Sequence, residues 1–93
     1  MHLYYYIHQS NLNLKIMEYI AERITIDPNI CNGKPTIRGM RITVQTILEF
    51  LSAGDTKDDI LEAYPSLSTN DIDACLSFAS RLMENHYEIR PTA

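Results

Sequence analysis

The segment Asn32-Gly33-Lys34-Pro35-Thr36-Ile37-Arg38-Gly39-Met40-Arg41-Ile42 limits the fold more than any other part of the chain. It holds two of the three glycines and one of the four prolines, so the backbone must bend here and cannot run on as a helix. Asn32-Gly33 is a turn signal, because both residues tolerate positive φ. Pro35 fixes its own φ and drives Lys34 into an extended conformation. Thr36-Ile37 and Arg41-Ile42 are expected as short strand pieces, with Gly39 between them at a bulge or tight bend. The segment is also basic. No acidic residue lies between Asp27 and Glu49, although the 93-residue chain carries a formal net charge of −4.

Regular structure is legible on both sides. Arg23-Ile24-Thr25-Ile26 alternates polar and apolar with β-branched residues, which predicts a strand stopped by Asp27-Pro28. Thr43 is placed to cap a helix whose apolar face is Val44, Ile47, Leu48 and Leu51, with Ile42 as a hydrophobic staple onto Ile47. Gly54 ends it. Thr56 opens a second helix, with Asp59 as the capping-box acid and Ile60, Leu61 and Tyr64 as the buried side, stopped at Pro65. Ser68 opens the third. Asp71 sits in its first turn, where a negative charge suits the helix dipole, and Leu67 staples onto Ile72. Ile72, Cys75, Leu76, Ala79, Leu82, Met83 and His86 then repeat at helical spacing, a stripe expected to pack on the other two helices. Phe78 lies on a second face with Ala74 and Arg81, a candidate partner contact. Three helices with tight connections after a small β element predict a mainly α, helix-turn-helix-like bundle preceded by short strands.

One domain and one modest core fit this length, and a second copy of the chain is a natural source of further burial. The expected organisation is an extension over 1–16, one domain over 17–86 and a tail over 87–93. Leu3-Tyr4-Tyr5-Tyr6-Ile7 is too short to span a bilayer and has no basic leader, so a cytoplasmic location is expected, with no membrane partner. Cys31 and Cys75 are far apart and outside any C-x-x-C pair, so they read as reduced, buried thiols. His2, His8 and His86 form no ligand cluster, and neither a metal nor another cofactor is expected.

Charge is uneven along the chain. From Asn32 to Leu48 the only charges are Lys34, Arg38 and Arg41. From Glu49 to Asp73 seven acids face Lys57 alone. The acids Asp55, Asp58, Asp59 and Glu62 read as a solvated helix face rather than a catalytic pair, and no serine has a G-x-S-x-G setting or a neighbouring base. Enzymatic activity is therefore not expected. Gly33-Lys34-Pro35 is no phosphate-binding loop, because a proline follows where that motif needs Ser or Thr feeding a helix. Lys34, Arg38 and Arg41 on a segment turned by Gly33, Pro35 and Gly39 are instead the candidate contact for an anion or an acidic partner. The alternative is a salt bridge to the acidic helices, within the chain or across a homodimer. For DNA, the helices offer Lys57, Thr69 and Asn70, but the adjacent acids repel phosphate.

The order and spacing of Arg23-Ile24-Thr25-Ile26-Asp27-Pro28, Asn32 through Val44, Ile47-Leu48, Ala53-Gly54, Ile60-Leu61, Tyr64-Pro65 and Asp71-Ile72 resemble the prokaryotic domain-of-unknown-function 433 family, whose pattern is of the type G-K-P-x-I-R-G-T-R-I-x-V. The resemblance covers about Ile20 to Met83. It implies a homeodomain-like, helix-turn-helix-like domain of VapB antitoxin type, with a PIN-like ribonuclease toxin as partner. Met40 stands where a small hydroxyl residue is usual, which argues against any role needing a hydroxyl at that turn. Thr43 stands where proline is common, and threonine caps a helix well. The resulting expectation is a homodimeric binding protein that neutralises a neighbouring PIN-like toxin through Lys34, Arg38 and Arg41. Autoregulation through operator DNA can accompany it. The alternatives are a DNA-binding regulator without a toxin and a salt-bridged structural homodimer.

Overall fold

The computed structural model describes residues 16–86. The expected extension, Ile16 apart, and the expected tail lie outside the described residues, as do His2, His8 and the side chain of His86. A three-stranded antiparallel sheet in the order β1-β2-β3 is followed by three helices. The strands are β1, Glu18–Ala21, β2, Ile24–Ile26, and β3, Thr36–Ile37. The helices are α1, Val44–Ser52, α2, Lys57–Ala63, and α3, Thr69–His86. The fold is a mixed one, three helices with a small sheet.

The helix ends follow the local sequence chemistry. Thr43 Oγ1 accepts from the Thr46 amide at 3.0 Å and starts α1. At its other end the Gly54 amide donates to Leu51 O and the Asp55 amide to Phe50 O, a full Schellman pair made possible by Gly54 at φ 100°. Thr56 and Asp59 form the reciprocal capping box of α2. The same bond from the Thr56 amide holds the Asp59 carboxyl below its ordinary pKa. Phe50 meets Tyr64 edge to face, with ring centroids 6.0 Å apart, and ties α1 to α2.

Ile24, Ile37, Ile47, Ile60, Ile72 and Cys75 form the centre of the core, with Val44 and Leu67 at its margin. α3 therefore packs on α1, α2 and β2 through Ile72 and Cys75, with Ala74 and Phe78 half-buried against the same core. The stripe expected to be buried along all of α3 is not. Leu76, Leu82 and Met83 are exposed. Leu76 lies between the buried Cys75 and the half-buried Phe78 and points away from the packed face, whereas Leu82 and Met83 lie past the part of the 18-residue helix that the sheet and the two shorter helices cover. Cys75 lies in the core as expected, whereas Cys31 is only half-buried.

Two strand expectations need correcting. β1 has no counterpart in the expected sheet. It is short, bulged between Tyr19 and Ala21, and joined to β2 by Glu22-Arg23, a turn without glycine in which Arg23 itself takes φ 65°. Arg41-Ile42 is not a strand. The Ile37 amide donates to Ile42 O and the Val44 amide to Pro35 O, but the ladder shrinks to one bridge, Thr36 to Thr43, because Thr43 already turns the chain into α1. Gly39 does mark a tight bend. Arg38 and Gly39 have φ 46° and 73°, and the Met40 amide closes onto Ile37 O, the pattern of a type I′ turn.

Two buried threonines lock β2 to β3. Thr25 Oγ1 lies 3.0 Å from Thr36 Oγ1 and 3.3 Å from Thr36 O, and accepts from the Gly39 amide at 2.8 Å. The two hydroxyls are not equivalent. Without Thr36 Oγ1, the Thr25 hydroxyl still donates to Thr36 O. Without Thr25 Oγ1, the Gly39 amide loses its acceptor. Thr25→Val is expected to cost about 2 kcal/mol and Thr36→Val about 1 kcal/mol or less, read by urea unfolding. Equal losses would contradict this assignment.

Candidate functional site

The basic segment is shaped by its backbone before its side chains matter. Cys31, Asn32 and Gly33 take φ 51°, 57° and 77°, three left-handed residues in a row, closed by Gly33 N–H to Ile30 O and Lys34 N–H to Cys31 O. Such a run is unfavourable for residues with a Cβ, and Asn and Gly tolerate it best. Lys34 then leaves extended, at φ −70° and ψ 153°, as Pro35 demands.

Arg38 turns inward from this segment and meets Asp71. Its Nε and Nη2 donate to Oδ1 and Oδ2 of Asp71, each at 2.9 Å, and Nη2 also reaches Ser66 O at 3.1 Å. Arg23 Nη1 donates to Asp71 Oδ1 at 3.0 Å. The Ser68 amide and hydroxyl donate to Oδ2 at 2.9 and 3.3 Å. Asp71 has no exposed surface, while the Arg23 and Arg38 side chains are 32% and 38% exposed. The fork from Arg38 holds the Asp71 carboxyl far below the usual carboxylate range. Burial opposes that effect, and the Ser68 amide and Arg23 reinforce it. In return, Asp71 raises the pKa of Arg38. Burial pushes the nearby Cys75 thiol up to about 11, with the Asp71 charge adding to it, so this cysteine behaves as a small hydrophobe.

The three candidate cations thus separate. Arg38 belongs to an internal clamp. Lys34 is exposed and lines the rim of an apolar groove of about 290 Å³ between α1 and α3. Arg41 is exposed, with no ion pair among the described residues. Gly33 and Gly39 occupy the positive-φ turns expected of them. The DNA-facing candidates gather at one end of α2 and α3. Lys57 Nζ bonds Asp73 Oδ1 at 2.6 Å, and Asp73 and Asn70 line a polar cleft of about 350 Å³ with Glu22 and Arg23. Thr69 is exposed beside them. No group of three or more His, Cys, Asp or Glu able to hold a metal occurs among the described residues. None of their helices is long and apolar enough to cross a membrane.

The sequence reading missed Arg23 altogether and placed Asp71 only as a helix-dipole charge. An arginine at a two-residue hairpin turn, a second at the first position of a type I′ turn and an acid three residues after Ser68 are separately unremarkable. Their convergence is a tertiary fact.

The model of a family described as a protein of unknown function, DUF433, matches residues 24–79. A crystal structure of a DUF433 member protein from Anabaena variabilis ATCC 29413 is similar, with a TM-score of 0.63 and 25% identity over 89% of this chain and 73% of that one. An uncharacterised protein, y4eO, of Sinorhizobium fredii is 37% identical over 51 residues. That match takes in 55% of this chain and 23% of the relative's length.

Asp71→Asn is expected to cost about 2–3 kcal/mol, because two part-exposed guanidinium groups lose a buried partner. Arg38→Lys is expected to destabilise too, since an ammonium cannot form the fork. The carboxyl pKa is lowered in the fold, so its stabilising contribution is complete above the ordinary value of about 4 and declines as pH falls below it. The melting temperature of the wild type should therefore fall more steeply below about pH 4 than that of Asp71→Asn. Parallel curves would refute the clamp.

Proposed function

This chain belongs to the DUF433 family, and we propose that it is a non-enzymatic binding module of the antitoxin kind that blocks a PIN-like ribonuclease encoded beside it. The observation that supports this most is Arg41. It is an exposed guanidinium with no ion pair among the described residues, and it follows directly on a turn that the Asp71 clamp holds in place. A cation on a fixed turn loses little backbone freedom on binding, and a guanidinium forks onto carboxylates. Set against the metal-binding acids of a nuclease, it would blunt the enzyme. Such a protein acts in the cytoplasm.

In this reading α2 and α3 are a helix-turn-helix-like pair, and operator binding is an added role. That role has weaker support. Asp73 already neutralises Lys57, and Asp73 and Glu22 line the cleft where a phosphate would approach Asn70.

Co-expression with the product of the adjacent gene should yield a complex in which ribonuclease activity is lost. Arg41→Glu is expected to weaken that complex about tenfold or more, with an unchanged melting temperature. Arg38→Ala should lower the melting temperature instead. A complex indifferent to Arg41→Glu refutes the contact, and no complex refutes the antitoxin role. Retardation of the chain's own promoter, steeply weakened by salt, would favour the regulator instead.

A further inference from the structure

We propose that the groove between α1 and α3 is a self-complementary dimer interface, filled by the α3 ridge of a second copy of this chain. This inference is independent of the ribonuclease reading. α3 runs on for about three turns after Cys75, its last fully buried residue, and exposes Leu76, Leu82 and Met83 at 43%, 44% and 59%. Beside that ridge lies the groove, with apolar walls from Val44, Leu48, Phe78 and Leu82. Leu82 is both a wall of the hole and part of the ridge. A knob and a hole on one patch are what a two-fold interface requires, because each copy must offer the same surface to the other.

Charge selects a second copy over an unrelated helix. Lys34 stands on one side of the groove, exposed and without an ion pair among the described residues. On the α1 side the groove is lined by Gln45, whose amide donates to the exposed carboxylate of Glu49 at 3.2 Å, and Glu49 likewise has no cation among the described residues. In this dimer each Lys34 would pair with the partner's Glu49, so that the two unmatched charges satisfy each other twice. The acidic chain would otherwise repel its own copy.

Sedimentation of the full chain over a concentration series tests this. The wild type is expected to dimerise, and Leu82→Asp to be monomeric with its circular dichroism unchanged. Met83→Glu, at a more exposed position, repeats the test should Leu82→Asp unfold. Lys34→Glu and Glu49→Lys should each weaken the dimer about tenfold, and the double variant should recover to within about threefold of the wild type. A wild type still monomeric at about 0.5 mM overturns the proposal. So does a dimer insensitive to substitutions at Leu82 and Met83, which would place the interface elsewhere. A double variant no better than the singles overturns the Lys34–Glu49 pairing. Capture of a foreign helix by a monomeric wild type would assign the groove to another protein.

Discussion

Asp71 joins the two halves of this protein through one carboxylate. It comes from the first turn of α3, yet it receives a guanidinium from the β1–β2 turn and another from the type I′ turn after β3. The Ser68 amide and hydroxyl complete its shell. A carboxylate without exposed surface is tolerable only when paired and hydrogen-bonded, and each oxygen here has at least two donors. The position of α3 against the sheet follows from this geometry as much as from the isoleucine core. The direct backbone bond from Arg38 N–H to Arg23 O brings the two turns side by side before their side chains converge.

Both arginines sit at positive φ, 65° and 46°, a conformation that carries a local penalty of about 1 kcal/mol for a residue with a Cβ. Glycine or asparagine would suit either turn better. The clamp explains why arginine is there, since no smaller residue reaches Asp71. Strain in the two turns and the ion pair that offsets it are one device. Its consequence for binding is that the loop from Gly39 onward is held at its base while Arg41 stays free to meet a partner. Lys34 is set apart from both by the left-handed Cys31-Asn32-Gly33 turn and Pro35, which carry it to the groove.

Much of this was legible because short-range chemistry decided it. Thr43, Gly54, Thr56, Asp59 and Ser68 mark the helix ends through bonds to residues three or four positions away, and the described bonds match. Gly39 forecast a bend for the same reason. The α3 stripe was legible as an amphipathic helix but misleading about burial, because periodicity shows which face is apolar and not how much of it the rest of the chain can reach. Leu82 and Met83 lie beyond that reach. The basic island was read either as one contact surface or as a salt bridge to the acidic helices, and Arg38 makes such a bridge to Asp71; sequence shows that three cations are close along the chain and not that each would point a different way.

The sequence by itself determined the helices, their caps, the bends at Asn32-Gly33 and Gly39 and the charge asymmetry, all of which depend on neighbours within a turn or two. Only the tertiary structure decided that Arg23 and Arg38 share Asp71, residues 48 and 33 positions away, that Lys34 borders a groove and that Leu76, Leu82 and Met83 of α3 stay uncovered. These outcomes depend on how separate elements dock. Docking is set by the volume of a small core and by one buried charge that must find its donors wherever the chain can supply them.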